Sequence, residues 1–206
     1  MTPPTTRPPT LTIRPLTPDL WPALEDLFSE HGAVGGCWCM YWRIGNDYRR
    51  QPPDLNRTAF RQVVLDGPPP GLLAFLGDLP VGWCQVTPRH SLPWLEHAWR
   101  NLDLETAGTV WSLSCLYIRK GWRRLGITSA LITAALQTAR AAGASALEAY
   151  PLDAALTPSA SGTGFVSTFT RLGFRVTALR SPSRPVMRFD FRVEDIDTHL
   201  PASRDK

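Results

Sequence analysis

The stretch from Trp111 to Tyr150, WSLSCLYIRKGWRRLGITSALITAALQTARAAGASALEAY, constrains the fold of this chain more than any other. Trp111 to Ile118 is an apolar run closed by Arg119, Lys120 and Gly121, as a strand ending in a turn should be. From Ile127 onward, Ile127, Leu131, Ala134, Ala135, Ala139 and Ala142 recur at helical spacing among good helix formers, and Gly143 marks the stop. Ala146 to Tyr150 is short enough for a second strand. The order strand, basic turn, helix, strand specifies a βαβ unit whose basic loop feeds directly into a helix N-terminus.

That loop suits an anion. A helix start leaves backbone N–H groups unpaired and carries partial positive charge, so it can take a phosphate group without side-chain help. Arg123 and Arg124 add full charges beside it, Gly126 lets a bulky ligand approach the main chain, and Thr128 and Ser129 offer hydroxyls in the first turn.

The run Arg123-Arg124-Leu125-Gly126-Ile127-Thr128 resembles the Q/R-x-x-G-x-G/A signature of the GNAT superfamily of acyl-CoA-dependent N-acyltransferases. Leu116-Tyr117-Ile118 before the turn, Ser129-Ala130-Leu131 after it and Leu172-Gly173-Phe174 downstream fall where that family's pattern puts them. The departure within the motif is Thr128, which stands in place of Gly or Ala. A dinucleotide fold is disfavoured because no G-x-G-x-x-G occurs. The resemblance covers roughly Leu11 to Phe191. It implies an α+β three-layer fold with a mixed, mostly antiparallel sheet of about seven strands and flanking helices.

Around this unit, residues 1–10 hold Pro3, Pro4, Pro8 and Pro9 and are expected to form a flexible arm. Residues 11–192 are expected to form one domain, and residues 193–206 a polar tail. Leu11 to Leu16 reads as the first strand. Thr17 offers an N-cap and Pro18 a first helical position for a helix carrying Leu20, Leu24, Leu27 and Phe28 and ending at Gly32. Asn56 to Asp66 reads as a second helix with Phe60, Val63 and Val64 inward and Gly67 as its stop. Gly71 to Leu76 and Val81 to Val86 form a hairpin across Gly77-Asp78. Pro88 to Gly108 reads as an insertion containing a short helix around Trp94, Leu95 and Trp99, and Pro151 to Gly162 as an irregular stretch. Thr163 or Ser161 caps a helix running to Leu172, and Phe174 to Leu179 and Val186 to Phe191 are the last two strands.

Composition bounds the function. With 206 residues, 43% of them hydrophobic and 19% charged, the chain is a globular protein rather than a disordered one. A net charge of +4 suits a polyanionic cofactor. Basic residues cluster only at Arg119 to Arg124, so no nucleic-acid partner is expected. No apolar run is long enough for a membrane span and MTPPTTRPPT lacks a signal-peptide core, so a cytoplasmic protein is expected. Cys37, Cys39, Cys84 and Cys115 form no C-x-x-C pair and read as reduced thiols. Cys37 and Cys39 with His31 lack a fourth ligand in sequence reach, so no metal is expected.

His31 to Arg43, HGAVGGCWCMYWR, packs aromatics around a glycine pair. It reads either as an aromatic wall for an acceptor molecule, through Trp38, Tyr41 and Trp42, or as an aromatic mini-core. The resemblance implies acetyl-CoA as acyl donor. It assigns Leu116, Tyr117 and Ile118 to the pantetheine arm, with a backbone N–H near Leu116 polarising the thioester carbonyl. Arg123, Arg124, Gly126, Ile127, Thr128 and Ser129 fall to the pyrophosphate, and Phe169 borders the cofactor where many members carry a proton-donating tyrosine. Phenylalanine cannot donate a proton, so that route is absent. Protonation of the leaving thiolate then falls to water or to Tyr117, Tyr150 or Ser167. Glu148 is the candidate base, on the same strand face as Tyr150, and its alternative role is an ion pair with an arginine. His90, His97, Glu96 and Asp153 stand in reserve.

The resulting expectation is an N-acetyltransferase acting on a primary amine of a small molecule or peptide, with a homodimer compatible with the terminal strands. Two alternatives remain open: a non-catalytic acyl-CoA-binding regulatory module on the same fold, and an interaction protein whose basic loop binds another anion.

Overall fold

The computed structural model describes residues 10–29, 35–99, 109–153 and 162–191. Seven strands enter one sheet in the order β1-β2-β3-β4-β5-β7-β6. They are β1 (Leu11–Pro15), β2 (Gly71–Leu76), β3 (Leu79–Pro88), β4 (Val110–Ile118), β5 (Ala146–Ala149), β6 (Arg175–Ser181) and β7 (Arg184–Asp190). Every neighbouring pair is antiparallel except β4 and β5, the two strands of the βαβ unit. The expected mixed, mostly antiparallel sheet is therefore the one observed.

Six helices flank it among the described residues: α1 (Trp21–Phe28), α2 (Tyr41–Ile44), α3 (Pro53–Asp66), α4 (Pro93–Trp99), α5 (Ile127–Ala141) and α6 (Val166–Arg171). The period of two along each strand separates the faces. Trp111, Leu113 and Leu116 of β4 and Leu147 and Ala149 of β5 point to a core roofed by α5 and α6. On the opposite face Trp83, Phe75 and Leu73 pack under α1 and α3 together with Trp38, while Tyr150 and Val186 pack with Trp42, Leu95 and Trp99 of α2 and α4.

Local differences from the sequence expectation have identifiable causes. Pro18 does open a helical turn, but Pro18–Leu20 is a 3-10 turn and the α-helix starts only at Trp21, with Pro22 in its first turn. Thr17 makes no side-chain cap. The helix ends at Phe28, where Ser29 takes φ 58°; Gly32 and His31 lie outside the described residues. α3 begins at Pro53 rather than Asn56, because proline is tolerated in the first turn, and Asn56 is buried with its amide donating to the carbonyls of Gly36 and Tyr48. α6 is capped at Phe165 without a side-chain bond; Thr163 is buried with no partner for its hydroxyl, and Ser161 lies outside the described residues. The last hairpin is displaced by one or two residues, a scale on which strand ends are weakly specified. The arm (its last residue, Thr10, apart) and the tail also lie outside the described residues, as do residues 100–108 and 154–161.

Candidate active site

The site is built where β4 and β5 part. β4 is nine residues long and β5 only four, and their parallel pairing runs from Val110 with Ala146 to Leu113 with Ala149. Beyond it, β4 carries a bulge: Gln85 of β3 faces Cys115 and Val86 faces Leu113, leaving Ser114 as the extra residue. The rest of β4, through Leu116, Tyr117 and Ile118, therefore has no β5 neighbour. Two groups reach into this opening. Trp42 Nε1 donates to the Ser114 carbonyl at 3.0 Å, and the Leu116 N–H donates to the Gly162 carbonyl at 2.8 Å.

On the first side of the opening lies the basic turn. Arg124 and Gly126 both adopt left-handed φ, 66° and 77°, and bring the chain into α5 at Ile127. At Gly126 glycine answers a backbone demand: a Cβ there would meet no protein atom within 4 Å, but its φ is strained for any other residue. The N-terminus of α5 has no side-chain cap, so its first N–H groups face outward. Arg123, Arg124 and Gly126 are exposed, while Thr128 and Ser129 are half-buried. Arg123 Nε lies 3.5 Å from the Ile118 carbonyl, and no described carboxylate pairs with either arginine. Ile127 is buried in the core and can offer a ligand only its backbone. An open helix start, two guanidinium groups with no carboxylate partner among the described residues and free space above Gly126 fit a pyrophosphate.

Of the assigned β4 residues, Leu116 packs into the core under α5, Ile118 lies against it, and Tyr117 stands half-buried on the other face, edge-on to Phe28 at 5.5 Å. Arg119 anchors the end of β4 by donating to the Pro80 carbonyl at 2.9 Å and pairing with Asp26 of α1 at 2.6 Å. Phe169 belongs to the same core. It is fully buried, 5.1 Å edge-on from Phe174, and a Cβ on Gly164 would lie 2.9 Å from its ring and 3.0 Å from Leu116 Cδ1. That segment covers Phe169 in this structure.

On the second side, Glu148 and Tyr150 do share a strand face, as the alternation requires. Both are 1% exposed, and the Tyr150 hydroxyl donates to Glu148 Oε2 at 3.2 Å and lies 2.9 Å from Ser112 Oγ. Glu148 is not a free base. Oε1 accepts from Arg89 at 3.3 Å and Arg188 at 3.2 Å, and Oε2 accepts from Arg89 at 3.1 Å as well as from Tyr150. A carboxylate offers about four lone-pair positions, and these contacts fill them. The arginine-paired alternative is the one the geometry matches. Burial, then the Glu148 charge, pushes the Tyr150 phenol well above its ordinary value, so it remains a protonated donor. Arg188 also donates from Nε to Asp190 Oδ1 at 2.6 Å. Burial opposes ionisation of Asp190, but its bonds to Arg188 and Arg175 outweigh this and lower its carboxyl below the ordinary range.

The aromatic segment divides between its two readings. Trp38 is 1% exposed and packs on Trp21 at 6.0 Å and Phe28 at 5.5 Å, a mini-core. Trp42 instead stands over the bulge, 4.6 Å from Tyr41 and 6.0 Å from Tyr150. α4 closes onto them: a Cβ on Gly45 would clash with the Trp94 ring, and Trp99 lies 5.3 Å from Tyr150. The reserve candidates are peripheral. His90, Glu96, Asp153 and Ser167 are exposed, and His97 stacks on Trp94 at 4.6 Å. Cys39 is buried with its sulfur accepting from Trp83 Nε1 at 3.1 Å, and no group of metal ligands occurs among the described residues.

Sequence reasoning did not find Arg89, Arg188 and Gln85. Each carried a signal: Arg188 interrupts the apolar run of β7, and Gln85 continues the Trp83 face of β3 with a polar group.

Solved structures share the fold. The PaiA N-acetyltransferase of Thermoplasma acidophilum, in complex with coenzyme A, superposes with a TM-score of 0.54 at 13% identity over 88% of this chain and 99% of that one. The Drosophila melanogaster polyamine N-acetyltransferase that forms N-acetylagmatine does so at 0.55 and 11%, covering 88% and 100%. The Salmonella typhimurium protein yncA, with its cofactor acetyl-CoA, gives 0.51 and 16%, covering 95% and 99%. At these identities the likeness speaks for the fold, and no curated relative matches the sequence. The sequence profile of the acetyltransferase (GNAT) family matches residues 26–161, which span the bulge, the basic turn and the parting strands, and the chain belongs to that family.

Proposed function

We propose that the protein is an acetyl-CoA-dependent N-acetyltransferase that moves the acetyl group onto a primary amine by direct attack. The observation that carries this reading is the opening between β4 and β5, with a bare helix N-terminus on one side and an aromatic cluster on the other. Acetyl-CoA supplies a thioester. Its pyrophosphate would rest on Arg123, Arg124, Gly126, Thr128 and Ser129 and the N–H of Ile127. Its pantetheine arm would run along Leu116, Tyr117 and Ile118. The Leu116 N–H would then exchange the Gly162 carbonyl for the thioester carbonyl, stabilising the oxygen that gains charge.

In the transfer a nitrogen–carbon bond forms, the carbon–sulfur bond breaks, the amine loses one proton and the thiolate gains one. With Glu148 saturated by arginines, its role is to position Tyr150, and the amine proton leaves to water. Tyr150, held as a phenol by burial, orients groups by donating a hydrogen bond rather than by titrating. The amine must arrive neutral, so kcat/KM rises with pH until the acceptor's own pKa is passed.

Calorimetry with acetyl-CoA, followed by release of free CoA across a panel of amines, tests the reading. Micromolar binding and amine-dependent release are expected. Binding without release above the hydrolytic background would favour the regulatory module, and absence of binding would remove both.

A further inference from the structure

The side opposite the basic turn holds a polar pair that no described residue satisfies. Gln85 is fully buried in β3, and both its Oε1 and its Nε2 lack a partner. Leaving such groups unpaired costs about 1–3 kcal/mol each, so a buried glutamine with both ends free is retained against its own contribution to stability. It faces Cys115 across the ladder, one residue beyond the bulge and next to Leu116. Trp42, the neighbour of Arg43 on α2, donates to the carbonyl of Ser114, the residue before Cys115, and so brings α2 to this end of the ladder. Arg43 Nη1 donates to the Ser91 carbonyl at 2.9 Å, but its Nε is buried without a partner. Burial lowers the Arg43 guanidinium below its ordinary value, and no carboxylate stands among the groups that act on it.

Resting on the acetyl-transfer reading above, we propose that Gln85 and Arg43 recognise the acceptor, and that the acceptor is an α-amino acid with an apolar side chain. A glutamine amide presents one acceptor and one donor side by side. A neutral amine N–H can donate to Oε1, while an adjacent carboxylate accepts from Nε2 and from Arg43 Nε. This sets the nitrogen beside Leu116, where the thioester carbonyl is expected. Trp42 and Tyr41 supply an apolar wall for the side chain. A polyamine fits poorly: its second ammonium would need a free carboxylate, and Glu148 is saturated by Arg89, Arg188 and Tyr150.

The test uses the full chain with acetyl-CoA and reads release of free CoA for amines that differ by one carboxylate. The pairs are phenylalanine against phenethylamine and leucine against isopentylamine, with putrescine as a third arm. The amino acids should exceed their decarboxylated partners by about 100-fold or more in kcat/KM, since a site built to bond a group rejects the analogue lacking it. Arg43→Gln should erase that preference. Gln85→Met removes the unpaired amide at similar volume, so it should leave the melting temperature unchanged or raised while lowering kcat/KM for the amino acid about 100-fold. Equal turnover within the pairs, preference for putrescine, or a Gln85→Met variant with full activity would overturn the proposal; in the last case the amide is served by buried water. Calorimetry separates the layers: no acetyl-CoA binding sinks the acetyl-transfer reading and this inference with it. Binding in which no amino acid is consumed sinks this inference alone.

Discussion

The two sides of the β4–β5 opening are built on opposite principles. The cofactor side is backbone: an uncapped helix, two left-handed residues, and arginines that reach into solvent. The side proposed for the acceptor is side chain: Arg89, Arg188, Glu148, Tyr150 and Ser112 form a buried network, and Gln85 and Arg43 keep groups with no partner among the described residues. A phosphate is recognised by local conformation and is insensitive to what packs beneath it, whereas an acceptor chamber must be assembled from distant segments and is coupled to the stability of the sheet.

That contrast predicts where each substitution is felt. The largest effect belongs to Glu148→Gln, which leaves the buried guanidinium groups of Arg89 and Arg188 short of charge and should cost about 3–5 kcal/mol of stability by denaturant titration. Acetyl-CoA affinity should stay within about two-fold of the parent if the two sides are independent, which is less than 0.5 kcal/mol. If Glu148 were instead the base, the pH dependence of the rate would flatten; an unchanged profile with a lost melting temperature supports the positioning role.

On the other side, Gly126→Ala should cost about 1–2 kcal/mol by forcing a Cβ into left-handed φ. Acetyl-CoA binding should weaken by about tenfold or more as the turn relaxes away from the phosphate geometry. Weakened binding with no change in the acceptor's KM would sharpen the division; a parallel rise in both would break it.

The smallest effect is electrostatic. Tyr150 has its folded pKa raised, so the contribution of its buried phenol is fully present below the unfolded value of about 10 and is lost as pH rises beyond it. Tyr150→Phe should therefore blunt the decline of the melting temperature above about pH 10, and leave the acid side, where Asp190 loses its arginine partners as pH falls through its lowered pKa, unaltered. An alkaline limb identical in parent and variant would show that Tyr150 does not titrate with unfolding.

Much of the fold was legible because it is periodic and local. β2 at Gly71–Leu76 and the start of α5 at Ile127 coincide with the residues where pattern and punctuation change. The turn Arg123 to Ser129 was legible as a basic strand-to-helix connection for the same reason, since it is contiguous in the chain. Arg89 and Arg188 were not, because they come from the turn after β3 and from β7, and only tertiary structure brings them together on Glu148. Thr17 and Asn56 failed differently: each suits a helix start, but a 3-10 turn and the carbonyls of Gly36 and Tyr48 took up the local bonding instead.

The parallel ladder between β4 and β5 is only four residue pairs, and it joins the two halves of the sheet. Arg89 from one half and Glu148 and Arg188 from the other act there as an ionic clasp. The cost of stripping water from charges falls with temperature, while apolar stabilisation levels off. On warming, this junction gains relative strength as the helices around it loosen, so the sheet should come apart last at its narrowest backbone seam.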